Sequence, residues 1–374
     1  MGSINKERLL EEFLELVQVD SETTQEEKIA EVLKEKFESL GLEVLEDDAK
    51  SITGHGANNL ICNLKGTKEG ADTIYFTSHM DTVVPGNGVK PSVEDGYVVT
   101  NGSTILGADD KAGLAAILEA IRSIKENDVD HGDLQFIITV GEESGLVGAK
   151  ALDSSLLKAK FGYALDSDGK VGNIIVAAPT QAKLNAVVKG KTAHAGVAPE
   201  KGISAITLAS KAIAKMPLGR IDDETTANIG RFEGGQKTNI VCDHVEILAE
   251  ARSLVPEKME DQVEKMKKAF YETAEEMGGE VELDVEVMYP GFKQKAGDEV
   301  VEVARSAAKK IGRDSELLTS GGGSDANIIA GYGIPTVNLA VGYEDIHTTN
   351  ERMPVAELEK VAELVTAIIK EVAE

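Results

Sequence analysis

Five short segments of this 374-residue chain carry side chains suited to metal or proton chemistry. They are Ser78-His79-Met80-Asp81-Thr82, Gly107-Ala108-Asp109-Asp110-Lys111, Gly141-Glu142-Glu143-Ser144, the Asp166 that ends FGYALD, and the loop holding His347. Together they offer two imidazoles and at least three carboxylates, without a thiolate. That donor set suits two divalent ions bridged by a carboxylate, as in hydrolases that hold an attacking and a leaving oxygen. His79 and Asp81 stand two apart, so on an extended strand they share a face and the carboxylate can orient the imidazole. The pair Glu142-Glu143 allows a division of labour, with one side chain binding metal and the other taking a proton from water. Each segment alone has a plainer use. Asp109-Asp110 could be acids favoured by a helix dipole, and Glu142-Glu143 an ordinary exposed pair.

Most of these segments sit just past the end of an apolar strand, the edge where open α/β sheets place ligands. LICNLKG (60–66), TIYFTSHMD (73–81), LQFIITV (134–140), FGYALD (161–166) and IPTVNLAV (334–341) read as strands. Their near-continuous apolar runs imply cover on both faces. Helices alternate with them: 4–18, a segment from a capping box at Thr24/Glu27 to before Gly41, 112–126, 298–311, and one after Pro354. Between about 179 and 291 the texture changes. Segments 182–190, 245–251 and 281–289 alternate as half-exposed antiparallel strands do, with helices near 202–215 and 257–277. The expected organisation is an α/β catalytic domain in two pieces, 1–178 and 292–374, with an α+β domain, 179–291, inserted between them.

Composition narrows the function classes. Lys+Arg 39 against Asp+Glu 65 give a net charge of −26, which argues against nucleic-acid or anionic-membrane partners. Aromatics are 4% and Trp is absent, which weakens base or sugar stacking. Cys62 and Cys242 form no CxxC and read as buried free thiols of a reducing compartment. No run reaches membrane-spanning length, and the acidic start MGSINKERLLEEF lacks a signal peptide's apolar core. A cytoplasmic location is expected. His55, His131 and His244 lie outside the motifs and read as surface residues.

In order and context, SHMDT, GADDKAG, GEES, the strand-end Asp166 and His347 resemble the M20 metallopeptidases. TILGADDKAGLAAI points to their peptidase T-like, tripeptide aminopeptidase-like branch. The resemblance runs along essentially the whole chain. It implies a mixed-sheet, zinc-exopeptidase-like catalytic domain with an inserted lid and dimerisation domain. It further implies two ions, zinc first and manganese or cobalt as substitutes. His79 and Asp166 would hold one, Glu143 and His347 the other, with Asp109 between them. Asp81 would orient His79, and Glu142 would be the general base. The Asp109–Asp110 bond would be cis.

In the insert, GKTAHAGVAPEKGISAI resembles the family's lid motif, with His194 at the scissile carbonyl. Asn239 and Arg252 would serve as oxyanion donor and carboxylate fork. Gly322 and Ser324, in GGGSDAN, could present backbone N–H groups to substrate. The implied activity is aminopeptidase action on short peptides by a homodimer paired through the lid. An amidohydrolase or carboxypeptidase acting on N-acyl amino acids, and a non-catalytic metal-binding dimer, are the rivals. The chain is shorter than a full-length peptidase T, and ALDSDGKVGNI is less glycine-rich than that enzyme's pattern.

Overall fold

The structure, a computed structural model, describes residues 4–374. Residues 1–3, the start of the segment read for a signal peptide, lie outside the described residues. The chain forms two compact units. Among the described residues, the first is 4–177 with 293–320 and 324–374; the second is 178–292 with 321–323.

The first unit is built on a nine-stranded mixed sheet. At its centre Leu134–Thr139, Ile74–His79, Phe161–Ser167 and Thr336–Ala340 lie side by side, all parallel. Leu60–Leu64 and Ile174–Ala178 flank them antiparallel. The side-chain period of two sends alternate residues of each strand into different cores. Ile74, Phe76, Phe136, Ile138 and Tyr163 enter the larger core, while Tyr75, Ile137 and Ile61 enter a smaller one on the other face. Both faces are therefore dry, which is why these strands read as unbroken apolar runs. An aromatic row crosses the larger core, Phe37–Phe136–Phe76–Tyr163, with ring centroids 6.2, 6.0 and 5.5 Å apart. Helix Ala108–Glu126 is buried along most of its length and packs against the terminal helix Val355–Ala373.

The second unit is an antiparallel five-stranded sheet. Its order is Gly219–Arg220, Thr225–Gly234, His244–Ser253, Thr180–Lys189, Glu280–Tyr289. Helices Ala205–Lys215 and Pro256–Met277 cover one face, through Leu208, Ala212, Met266 and Phe270. No helix among the described residues is long and apolar enough to cross a membrane.

Several local expectations need correction. The second helix spans Glu27–Ser39, not a start at Thr24. The Glu26 carboxylate accepts from the Thr24 and Gly56 N–H groups (2.8 and 2.7 Å), so the chain turns there before the helix begins. Helix Ala108–Glu126 begins at Ala108 rather than 112, with non-helical torsions at Asp109 and Asp110. Strand Thr225–Gly234 went unread because Gly230, Gly234 and a register shift at Ile229/Arg231 interrupt its alternation. Cys62 is buried as expected, but Cys242 is only half-buried. His55 and His131 are buried rather than on the surface, and only His244 is exposed.

Candidate metal centre

Parallel strands end at a common edge, and this brings the sequence motifs together. His79 closes Ile74–His79, and Glu142-Glu143 follow Leu134–Thr139. Asp166 lies in the last residues of Phe161–Ser167, and His347 in the loop after Thr336–Ala340. Asp109 is in the first turn of helix Ala108–Glu126, entered through Gly107 at φ +75°, a conformation that favours glycine. Each Asp109 oxygen faces one imidazole. Oδ1 is 3.0 Å from His79 Nε2, and Oδ2 is 3.2 Å from His347 Nε2. Asp166 Oδ1 is 3.8 Å from His79 Nε2, and Glu143 Oε1 is 3.0 Å from His347 Nε2.

Three groups offer ligand atoms all within 4.8 Å of one another: His79/Asp109/Asp166, Asp109/Glu143/His347 and His79/Glu142/Glu143. The first two share Asp109. Glu143 Oε1 is buried, and its 3.0 Å approach to His347 Nε2 is not aligned as a hydrogen bond. Carboxylate oxygens and imidazole nitrogens that converge in this way fit a cation.

The surroundings fix these side chains. Asp81 uses both carboxylate oxygens on the next motif, accepting from Glu142 N (2.9 Å) and Glu143 N (3.2 Å). The His79 Nδ1 partner is instead the Asp81 carbonyl oxygen at 2.9 Å, with Asp81 Oδ1 at 3.5 Å. Asp110, joined to Asp109 by a cis peptide bond, accepts from Ser78 Oγ and from Gly113 N. Tyr343 Oη donates to Asp166 Oδ1 at 3.2 Å. His347 itself has φ +61°, an uncommon conformation for a side-chain-bearing residue and one that clusters at functional sites.

Charge follows from this packing. Burial lowers the basicity of His79, but its hydrogen bond with Asp109 and the nearby carboxylates of Asp166 and Asp81 outweigh it and hold its pKa well above the ordinary value. Its hydrogen bond with Asp109 and the adjacent Glu143 carboxylate raise His347 to about 10. Burial drives Asp109 upward, yet the two imidazoles win and hold it below its usual range. Burial, reinforced by Asp166, raises Glu142 well above the carboxylate range, and burial also raises Glu143 and Asp166. A site that gathers acids at this density calls for compensating positive charge, and the imidazoles supply only part of it.

Sequence reasoning missed four residues here. His55 Nε2 is 2.9 Å from Ser144 Oγ, and its ring lies where a Cβ on Gly141 (φ +58°) would sit, 2.6 Å away. It backs the Glu142-Glu143 turn. Asp325, buried beside Thr139 with Oδ1 unpartnered, is raised by burial to about 7. Tyr343 is the third, and Glu351, buried four residues after His347, is the fourth. Asp325 adjoins the GGGS motif, so its neighbourhood was a signal. The others had none.

Of the expected substrate residues, Ser324 is in the first unit and starts helix Asp325–Gly331. Its N–H donates to Asn327 Oδ1 (3.1 Å) and its Oγ accepts from Asn338 Nδ2 (3.3 Å), which are structural tasks. His194, Asn239, Arg252 and Gly322 belong to the second unit. His194 and Asn239 are exposed on neighbouring segments joined by Ala195 N donating to Asn239 O (3.0 Å). Arg252 already holds Glu250 with two N–H groups (2.9 and 3.0 Å) and donates to Gly321 O (2.9 Å).

A doubly covered α/β sheet that gathers imidazoles and carboxylates at its strand ends, with one carboxylate shared between two donor groups, defines a metallohydrolase. The chain belongs to Peptidase family M20/M25/M40, whose match spans residues 75–371. It is 74% identical to the uncharacterized protein YqjE of Bacillus subtilis (strain 168), over 99% of this chain and 100% of that one. Among solved structures it is similar to the aminopeptidase PepT of Bacillus cereus ATCC 10987. That match has TM-score 0.97 and 72% identity, and covers 99% of this chain and 100% of that one. It is also similar to a tripeptidase of Staphylococcus aureus subsp. aureus Mu50, at TM-score 0.96 and 55% identity, covering 99% of each chain. The enzyme is a metallopeptidase of α/β fold.

Proposed function

We propose that this metallopeptidase is an aminopeptidase that removes the N-terminal residue from short peptides, tripeptides included. The observation that carries the reading is Asp109, each of whose oxygens faces a different imidazole within two overlapping donor groups. The likeness to the PepT aminopeptidase and the tripeptidase supports the substrate class. His79 and Asp166 would hold one divalent ion, Glu143 and His347 the other, and Asp109 both. Zinc suits this donor set, and manganese and cobalt are compatible substitutes. When bound, such an ion pair supplies Lewis acidity to a scissile carbonyl and acidifies water.

The chain's own groups do the rest. Glu142 takes a proton from the attacking water as its oxygen bonds to the carbonyl carbon. Glu142 then gives that proton to the leaving amine as the C–N bond breaks. Burial raises its affinity for a proton, which favours uptake of one from water. Asp81 holds Glu142 and Glu143 by their backbone and His79 through its own carbonyl. Residues 179–291 serve as lid and dimerisation domain, with His194, Asn239 and Arg252 as its substrate-binding residues. The enzyme works in the cytoplasm as a homodimer.

Glu142→Gln tests the base. Turnover should fall by about 10²–10⁴-fold, the usual contribution of a positioned general base, while elemental analysis still finds two ions per chain. An unchanged rate would sink the assignment.

A further inference from the structure

We propose that Glu351 is a positioning residue that fixes Asp109 and His347 relative to one another, so that both donor groups depend on it. Glu351 is only 2% exposed. It reaches back some 240 positions in sequence to the turn that carries Asp109. Its Oε2 accepts from Leu106 N (2.8 Å) and Gly107 N (2.6 Å), and its Oε1 from Asp109 N (3.0 Å). Three of the N–H groups that approach and open helix Ala108–Glu126 therefore converge on one carboxylate.

At its other end Glu351 is tied to His347. The loop holding both is closed by Glu344 and Arg352, which exchange backbone hydrogen bonds of 2.9 and 3.1 Å. The Arg352 side chain bonds Glu344 Oε2 (2.7 Å) and lies 4.7 Å over the Tyr97 ring. Within this closed loop His347 and Glu351 stand four residues apart. One side chain thus joins two segments that are far apart in sequence, and each segment carries a member of the Asp109/Glu143/His347 group.

Burying this carboxylate is costly in itself, and Asp109 adds repulsion. The three N–H groups and the charge of the buried Lys111 offset that cost. Apolar replacements of buried charge are often neutral or stabilising. What an apolar side chain could not do is hold three N–H groups in one orientation. Asp109 is shared, so a small displacement of its backbone would misplace both of its oxygens at once. Outer partners of metal ligands affect affinity by about 10–100-fold for this reason.

The proposal rests on the two-ion reading, and its test separates the two. Metal-free wild type, Glu351→Gln and Glu351→Asp are titrated with cobalt(II) by calorimetry, with the visible absorption of bound cobalt recorded. Glutamine offers a single acceptor oxygen and sets an NH₂ against the remaining N–H groups. Aspartate keeps the charge one methylene short of reach. Wild type should bind two ions per chain. Both variants should bind each ion about 10–100-fold more weakly, with an altered cobalt spectrum and a fall in kcat at little change in KM. If Glu351→Gln is unfolded by circular dichroism, Glu351→Asp is the variant read. Wild-type affinities and spectrum in a folded variant would overturn the proposal, leaving Glu351 as a helix-start cap only. A wild type that binds fewer than two ions would remove the two-ion reading, and this proposal with it.

Discussion

Asp109 is the residue on which the site turns. Its two oxygens face His79 and His347 at 3.0 and 3.2 Å, one imidazole each. Asp109→Asn keeps the shape and loses the charge. We expect it to weaken both ions together, by at least the 10–100-fold that loss of an outer partner brings. Calorimetric titration with zinc or manganese checks this, and loss of only one ion would show that Asp109 is not shared. The residues that meet here could be picked out in sequence because most of their motifs follow apolar strands and because, in order, they resemble those of the M20 metallopeptidases. Glu351, Tyr343 and His55 were not legible, because an isolated Glu, Tyr or His gains its role only from what the fold places beside it. Asp81 illustrates the limit. Spacing put it beside His79, but only the structure shows its carboxylate on the Glu142 and Glu143 backbone.

Elements decide whether these residues meet. The parallel strands Ile74–His79, Leu134–Thr139, Phe161–Ser167 and Thr336–Ala340 align their carboxyl ends, and the aromatic row Phe37–Phe136–Phe76–Tyr163 locks the helix layer to three of them. Phe76 is fully buried in that row. Phe76→Ala should cost the first unit about 3–5 kcal/mol of unfolding free energy, read from the urea midpoint. A loss under about 1 kcal/mol would mean that the row is not what binds these layers. Buried strands and amphipathic helices were readable because their periods are strong. Strand Thr225–Gly234 was not, since two glycines and a register shift erase its alternation. The helix expected from Thr24 starts at Glu27 because Glu26 turns its carboxylate onto the Thr24 and Gly56 N–H groups rather than leaving a Thr24/Glu27 box to cap it.

For the whole molecule, the α/β fold class and the family were legible because the motifs recur in order along the entire chain. What resists reading from sequence is the work of His194, Asn239 and Arg252, since substrate contacts depend on surfaces from separate parts of the chain. Arg252 is occupied by Glu250 and Gly321 O, a pairing its spacing gave no reason to expect beyond the nearby acid. The most direct test of the aminopeptidase assignment is hydrolysis of one tripeptide in two forms, free and N-acetylated, with added zinc, manganese or cobalt and again with chelator. Release of the N-terminal residue from the free form alone, lost with chelator, is the expected result. Cleavage of the acetylated form at a comparable rate would contradict it and place the enzyme among deacylases or carboxypeptidases.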